Sequence, residues 1–294
     1  MNSSDPHHAC WMNGELCHPD RARVSVFDHG LLYGDGVFEG IRFYNRSAFR
    51  LAAHLRRLSD SARAIRLTIP YDHAALAEAT KAVIAASAAE NGYIRLVVTR
   101  GAGDLGLDPE SCHRPNVFLI AAPLRVVSDA VRSQGARVII GATRRLTPDG
   151  LDPRIKSLNY LNHVMARTEA NLAGADEALM LNQHGRVAEG TADNVFVVRN
   201  GRLLTPPAFE GALEGITRGL VLELARVEGL DCHESPLTAY DLYTADECFL
   251  TGTGAELIPV REIDGRAMAD ACGPVFTQLL TAFRRCIQRE TNDA

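Results

Sequence analysis

The chain has 294 residues, enough to bury one large core or two smaller ones. Hydrophobic residues make up 46 % and charged residues 23 %, with a formal net charge of −5, an ordinary globular composition whose acidic balance argues against a nucleic-acid-binding surface. No apolar run approaches the roughly 20 residues that span a bilayer, no signal peptide opens the chain, and the seven scattered cysteines include no C-x-x-C, so a cytoplasmic protein with reduced thiols and no metal site is expected.

The N-terminal stretch, with His7, His8 and His18 near Cys10 and Cys17, reads as a disordered end. Alternating and turn-bounded runs then predict strands over 23–28, 37–44 and 47–51. Helical spacing follows, with Leu55, Leu58, Ala62 and Ile65 on one face of 54–67, and Leu76, Ala79, Val83 and Ala86 on one face of 73–91. Two apolar strands, 93–100 and 116–123, complete a small N-terminal α/β domain over 1–123. Residues 124–135 are less regular and end in glycine, and they read as an interdomain loop. Beyond it, a strand over 137–145 leads through a loop to a helix over 158–172, read as having an apolar inner face at Leu158, Leu161 and Met165. Strand–turn–strand patterns fill 177–190, 193–207 (with Asn-Gly at its turn) and 247–260, and helices fill 216–229 and 273–290. The expected fold is therefore α+β, with a larger, β-rich C-terminal domain over 136–294.

GAGDLG at 101–106 fits the dinucleotide pattern G-x-G-x-x-G, but prolines and turn formers follow it instead of a helix. A pyrophosphate would find no helix N-terminus there, so the segment reads as a glycine-rich loop. The lysines are more informative. Of 31 basic residues only Lys81 and Lys156 are lysine. Lys81 sits on the polar side of a predicted helix and reads as a solvated charge. Lys156 follows Pro153 and precedes a predicted helix, where the body of the domain partly encloses it. Enclosure favours a neutral amine, which can attack an aldehyde, whereas arginine forms no stable imine. Composition alone leaves a structural lysine equally open.

Four other features fit a single ligand. Glu189, just past a strand, could pair with a protonated pyridine nitrogen. The helix opening at Ile216 and Thr217 offers backbone N–H groups to an anion. The glycine turn over 251–256 presents N–H groups and threonine hydroxyls, and Arg57 can grip a phosphate in bidentate fashion. Each alone has an ordinary structural explanation; together they suggest one site for an aldehyde, a pyridine and a phosphate.

At this point the chain resembles the fold-type IV pyridoxal-phosphate enzymes, and within them the branched-chain amino-acid aminotransferases, from about residue 12 to 285. HGLLYGDGVFEGIRFY (29–44), HLRRLSDSA, IKSLNYLN, EGTADNVF, LEGITR and GTGAELIPV carry the similarity. The resemblance implies a pyridoxal 5'-phosphate cofactor bonded by Lys156, with Tyr160 at its ring hydroxyl and Glu189 at its pyridine nitrogen. It also implies that Arg57, Ile216, Thr217 and Thr253 hold the phosphate. Tyr33, Phe38, Gly40 and Tyr93 would line the substrate pocket, Arg95 would accept a distal carboxylate, and the N–H groups of Gly254 and Ala255 would hold the α-carboxylate. The partners implied are amino acids, 2-oxo acids and a second copy of the chain. Three places depart from well-known members: a Lys–Tyr spacing one residue short, Gly254 in place of alanine, and no tryptophan or tyrosine in 124–135. The last leaves substrate preference open. The expected reaction is transamination of L-leucine, L-isoleucine or L-valine with 2-oxoglutarate. A D-amino-acid aminotransferase, an aminodeoxychorismate lyase-like enzyme and, remotely, a non-catalytic binder of phosphorylated metabolites stand as alternatives.

Overall fold

A computed structural model describes residues 8–123 and 127–292, so His7 and residues 124–126 of the expected interdomain loop lie outside the described residues. The chain forms two units. One comprises Met1–Leu124, Ile155–Asn159 and Ile287–Ala294; the other comprises Arg125–Arg154 and Tyr160–Cys286.

The first unit contains β1 (Ala9–Met12), β2 (Glu15–Cys17), α1 (His29–Tyr33), β3 (Gly36–Tyr44), β4 (Ser47–Ala48), α2 (Leu51–Ala64), α3 (His73–Ala86), β5 (Gly92–Thr99) and β6 (Asn116–Ala122). Its six strands run antiparallel in the order β2-β1-β6-β5-β3-β4. Successive side chains alternate between the two faces of a strand. Val37, Ile41 and Phe43 of β3, Ile94, Leu96 and Val98 of β5, and Val117 and Leu119 of β6 pack with Leu55 and Leu58 of α2 and Leu76 and Val83 of α3. The opposite face therefore carries Phe38, Gly40, Tyr93, Arg95, Ile120 and Cys10, and across it Gly40, Arg95, Ile120, Cys10 and Cys17 follow one another in register.

Two expectations fail here. Residues 9–17 form a hairpin, β1–β2, turning at Asn13 and Gly14 with φ of 50° and 112°. Residues 23–27 form no strand. The chain instead turns into α1, because the Asp28 carboxylate accepts from the Gly30 N–H at 2.7 Å and also binds Thr99 and Asn116. The glycine-rich loop behaves as expected: no helix opens from it. A side chain at Gly101 would collide with the Arg114 carbonyl, and one at Gly103 with Cys112, Ser111 and His29.

The second unit contains α4 (Asp129–Gln134), β7 (Ala136–Ile140), α5 (Leu161–Leu172), β8 (Glu177–Leu181), β9 (Val187–Gly190), β10 (Asn194–Arg199), β11 (Arg202–Thr205), α6 (Ile216–Val227), β12 (Cys232–Glu234), α7 (Ala239–Tyr243), β13 (Glu247–Gly252), β14 (Glu256–Ile263), β15 (Arg266–Ala267) and most of α8 (Pro274–Asn292). The mixed sheet runs β12-β11-β10-β13-β14-β7-β8-β9, with β15 on β14. Asn200 and Gly201, at φ of 51° and 75°, make the predicted β10–β11 turn. The predicted apolar inner face of α5 is inverted: Leu161 and Met165 are 72 % and 55 % exposed, and the helix buries His163, Ala166 and Ala170. Small residues let α5 approach the sheet, and His163 is buried for reasons given below. One antiparallel and one mixed sheet, each with helices, give the α+β architecture expected.

Candidate active site

Lys156 belongs to a five-residue segment that returns to the first unit. Backbone fixes it there. The Phe38 N–H donates to the Lys156 carbonyl at 3.0 Å, the Leu158 N–H donates to the Gly36 carbonyl at 3.0 Å, and Val37 and Ser157 form a bridge. The Lys156 N–H donates to the Ser61 hydroxyl at 3.1 Å. The segment thus extends β3 sideways like a short strand, and the half-buried ammonium lies 4.6 Å from the centre of the Phe38 ring. The other lysine, Lys81, is 70 % exposed and ion-paired with Glu78 on the surface of α3.

Beneath β3, Glu39 is wholly buried and takes three hydrogen bonds. Arg57 donates through Nε at 2.7 Å and Nη2 at 2.8 Å, and His54 through Nδ1 at 2.7 Å. Burial alone would raise the Glu39 carboxyl, but the Arg57 charge and hydrogen bonds, helped by His54, hold it down at about 2. Burial lowers His54, against the pull of Glu39, so a neutral imidazole donates Nδ1–H to the carboxylate. The predicted phosphate ligand Arg57 is therefore aimed by Glu39, which takes two of the five donors a guanidinium carries. A carboxyl with a lowered native pKa contributes stability above its unfolded value, and that contribution fades as pH falls toward the native one. Glu39→Gln is expected to cost about 3–5 kcal/mol near pH 7, because it strands a buried guanidinium. In urea melts the gap between variant and parent should shrink steadily from pH 5 to pH 3; a constant gap would contradict the ionised assignment.

On the opposite face, the Arg95 guanidinium lies 4.5 Å from the Phe38 ring centre and 5.6 Å from that of Tyr93. A Cβ on Gly40 would sit 1.9 Å from the Tyr93 hydroxyl, so the absence of a side chain at 40 creates the room in which Tyr93 lies. Tyr33 donates its hydroxyl to the Leu105 carbonyl and meets His29 edge to face. The structure therefore brings Phe38, Gly40, Tyr93, Arg95 and Lys156 together, with Tyr33 held separately against the 101–106 loop. Gly40→Ala is expected to displace the Tyr93 ring and to cost about 1–3 kcal/mol, read as a lower urea midpoint. An unchanged midpoint would show that the ring does not need the space left at 40.

The second unit carries Tyr160, Glu189, Ile216, Thr217, Thr253, Gly254 and Ala255. Glu189 lies within β9 rather than past its end, buried, its Oε1 taking Arg145 Nε at 2.8 Å and its Oε2 the Leu213 N–H at 2.9 Å. His163 Nε2 approaches to 3.7 Å, and its ring stacks on Tyr160 with centroids 4.1 Å apart. Burial would raise Glu189; His163, Arg145 and the Leu213 N–H outweigh it and hold the carboxyl below its usual range. Burial, with Glu177 and Glu189 near, pushes Asp193 up to about 7. Asn194 donates to the Leu213 carbonyl at 2.9 Å, tying β10 to the loop before α6. That helix begins at Gly215 without a side-chain cap, with Thr217 buried in its first turn. Gly215 is required there, since a Cβ would meet Asn194 Oδ1 at 2.1 Å. At the glycine turn, Ala255 is buried and Thr251 has a buried hydroxyl with no hydrogen-bond partner among the described residues. Sequence reading missed Glu39, His54, Arg145, His163, Asp193 and Asn194; several stand inside the motifs it singled out.

Each unit carries groups suited to part of a phosphorylated pyridine aldehyde. The first carries the Lys156 amine, and the second carries Glu189 and the start of α6. Glu189 is held below the usual carboxylate range by His163, Arg145 and the Leu213 N–H, and an ionised carboxylate is what a protonated pyridine nitrogen pairs with. The uncapped start of α6 and the unsatisfied Thr251 hydroxyl are donors awaiting an anion.

Residues 36–263 match the family described as amino-transferase class IV. The chain belongs to the class IV aminotransferases. A Methanocaldococcus jannaschii chain provisionally named a branched-chain-amino-acid aminotransferase is 50 % identical over 258 residues, covering 88 % of each chain. The branched-chain-amino-acid aminotransferase of Escherichia coli K12 is 35 % identical over 290 residues, 96 % of this chain and 94 % of that one. A crystal structure of an E. coli branched-chain amino acid aminotransferase superimposes with a TM-score of 0.93 at 34 % identity, covering 97 % of this chain and 96 % of that one. The branched-chain amino acid aminotransferase from Thermobaculum terrenum, in its PLP-bound holo-form, gives 0.86 at 34 % identity, covering 98 % and 97 %. This class IV aminotransferase thus shares its fold along almost its whole length with those enzymes. Among its described residues no helix is long and apolar enough to cross a membrane.

Proposed function

We propose that this chain is a branched-chain-amino-acid aminotransferase, which uses pyridoxal 5'-phosphate to move the amino group of L-leucine, L-isoleucine or L-valine to 2-oxoglutarate. The observation that carries the reading is Arg95 lying over Phe38 and Tyr93. One face offers aromatic surface to a branched side chain and a cation to the distal carboxylate of glutamate, and the two substrates must occupy it in turn. The family, and relatives and structural neighbours with branched-chain names, support the same reaction.

When bound, the cofactor supplies a pyridinium ring that takes up the electron pair left at Cα. Lys156 would hold its aldehyde, and the Lys156 Nζ is the group that would take and carry the Cα proton. Glu189 would keep a proton on the pyridine nitrogen, and Tyr160 would bind the ring hydroxyl. Arg57, Thr253 and the Ile216–Thr217 start of α6 hold the phosphate. The Gly254 and Ala255 N–H groups orient the α-carboxylate, and Tyr33, Phe38, Gly40 and Tyr93 receive the side chain. The same reading takes 1–123 and 136–294 as the two domains, joined through 124–135. It also makes the enzyme a cytoplasmic homodimer, in keeping with the exposed Leu31, Leu105 and Leu107 of the first unit and with cysteines that form no disulfide among the described residues. Assays with L-leucine and with D-alanine, each with 2-oxoglutarate, test the function. Glutamate should form far faster from L-leucine, and preference for D-alanine would overturn the proposal.

A further inference from the structure

We propose that Cys10 and Cys17 form a reversible dithiol/disulfide site, a covalent clasp across the β1–β2 hairpin at the edge of the six-stranded sheet. The two are direct partners in the strand register. Direct partners in an antiparallel pair project to one face with Cα atoms about 4.5–5.5 Å apart, inside the roughly 4.4–6.8 Å that a disulfide spans. No other two cysteines oppose each other in the described strand registers. Cys10 also points away from the helix-covered core, which takes its neighbours Ala9 and Trp11. Burial, and then the neighbouring Cys17, push the Cys10 thiol up. Cys10 is buried and Cys17 half-buried, so a reagent from solution meets Cys17 first.

The chemistry needs a low-molecular-weight disulfide, for which oxidised glutathione is the probe. The Cys17 thiolate attacks one sulfur of the reagent, whose S–S bond breaks and releases one glutathione thiolate. Cys10 gives its proton to water, and its thiolate attacks Cys17 Sγ, displacing the second glutathione. Two protein thiols are oxidised to one disulfide, and one glutathione disulfide is reduced to two thiols. The hairpin keeps its register throughout, so a dithiol reductant reverses the step.

The test uses the full chain, equilibrated in glutathione buffers of graded redox ratio, alkylated with iodoacetamide and digested with trypsin. Both cysteines fall in the peptide 1–21, which has no internal lysine or arginine. The expected result is a peptide two hydrogens lighter and unalkylated after oxidation, which regains both alkylation sites after dithiothreitol. Cys10→Ser should stop at a glutathione adduct on Cys17. Because the folded hairpin presents the sulfurs to each other, half-oxidation should need an oxidised-to-reduced ratio at least about tenfold lower in the native chain than in concentrated urea. Equal midpoints would overturn the proposal. So would two alkylated cysteines under conditions that modify the exposed Cys272, or a Cys17 adduct persisting in the parent chain.

Discussion

Replacing Lys156 with alanine is expected to lower kcat by at least about 10³-fold while leaving the fold in place. The segment is held through its backbone, by the Ser61 hydroxyl on its N–H and the Phe38 N–H on its carbonyl, and neither bond needs the side chain. What disappears is the amine above Phe38. Lys81 cannot replace it, being exposed and ion-paired with Glu78 on α3. A small primary amine added to the variant should restore part of the turnover, which a purely structural lysine would not permit. Parent-like activity in the variant would end the proposed mechanism.

Glu189→Gln is expected to act on stability and on turnover separately. The amide keeps the shape but not the charge, so Arg145 is left buried without its counter-ion. Loss of one partner of a buried pair costs about 3–5 kcal/mol. Turnover should fall about 10²–10³-fold, as when a charge-stabilising group is removed from an active site. The two effects can be parted. Adding Arg145→Met removes the stranded cation and should recover most of the melting temperature, since apolar replacement of a buried pair is often near neutral. It should recover no turnover. A double variant that regained both would make Glu189 a structural anchor only.

How much of this was legible in the sequence depended on whether the signal was local. Lys156 stood out because the chain otherwise uses arginine almost throughout, and the Asn200-Gly201 hairpin followed from two adjacent residues. The partners of Glu189 did not. Arg145 lies 44 positions away, and nothing local marks it as the counter-ion. Glu39 reads as one polar residue in an alternating strand, yet it lies on the buried face, where Arg57 neutralises it and His54 adds a hydrogen bond. The reversed face of α5 has the same cause. Leucine and methionine look like core residues, but His163 is drawn inward by Glu189 and Tyr160, contacts that periodicity does not register. The stretch 23–27 alternates like a strand and fails because Asp28 caps a helix instead.

The excursion of residues 155–159 has a consequence for synthesis. The unit whose strands leave the ribosome first waits for those five residues to cover the Phe38 amide, and for the C-terminal turns of α8, where Glu290 pairs with Arg50 at 3.1 Å. The part begun earliest is finished last. A fragment cut after β6 would leave the Phe38 N–H without the Lys156 carbonyl and Arg50 without the Glu290 carboxylate.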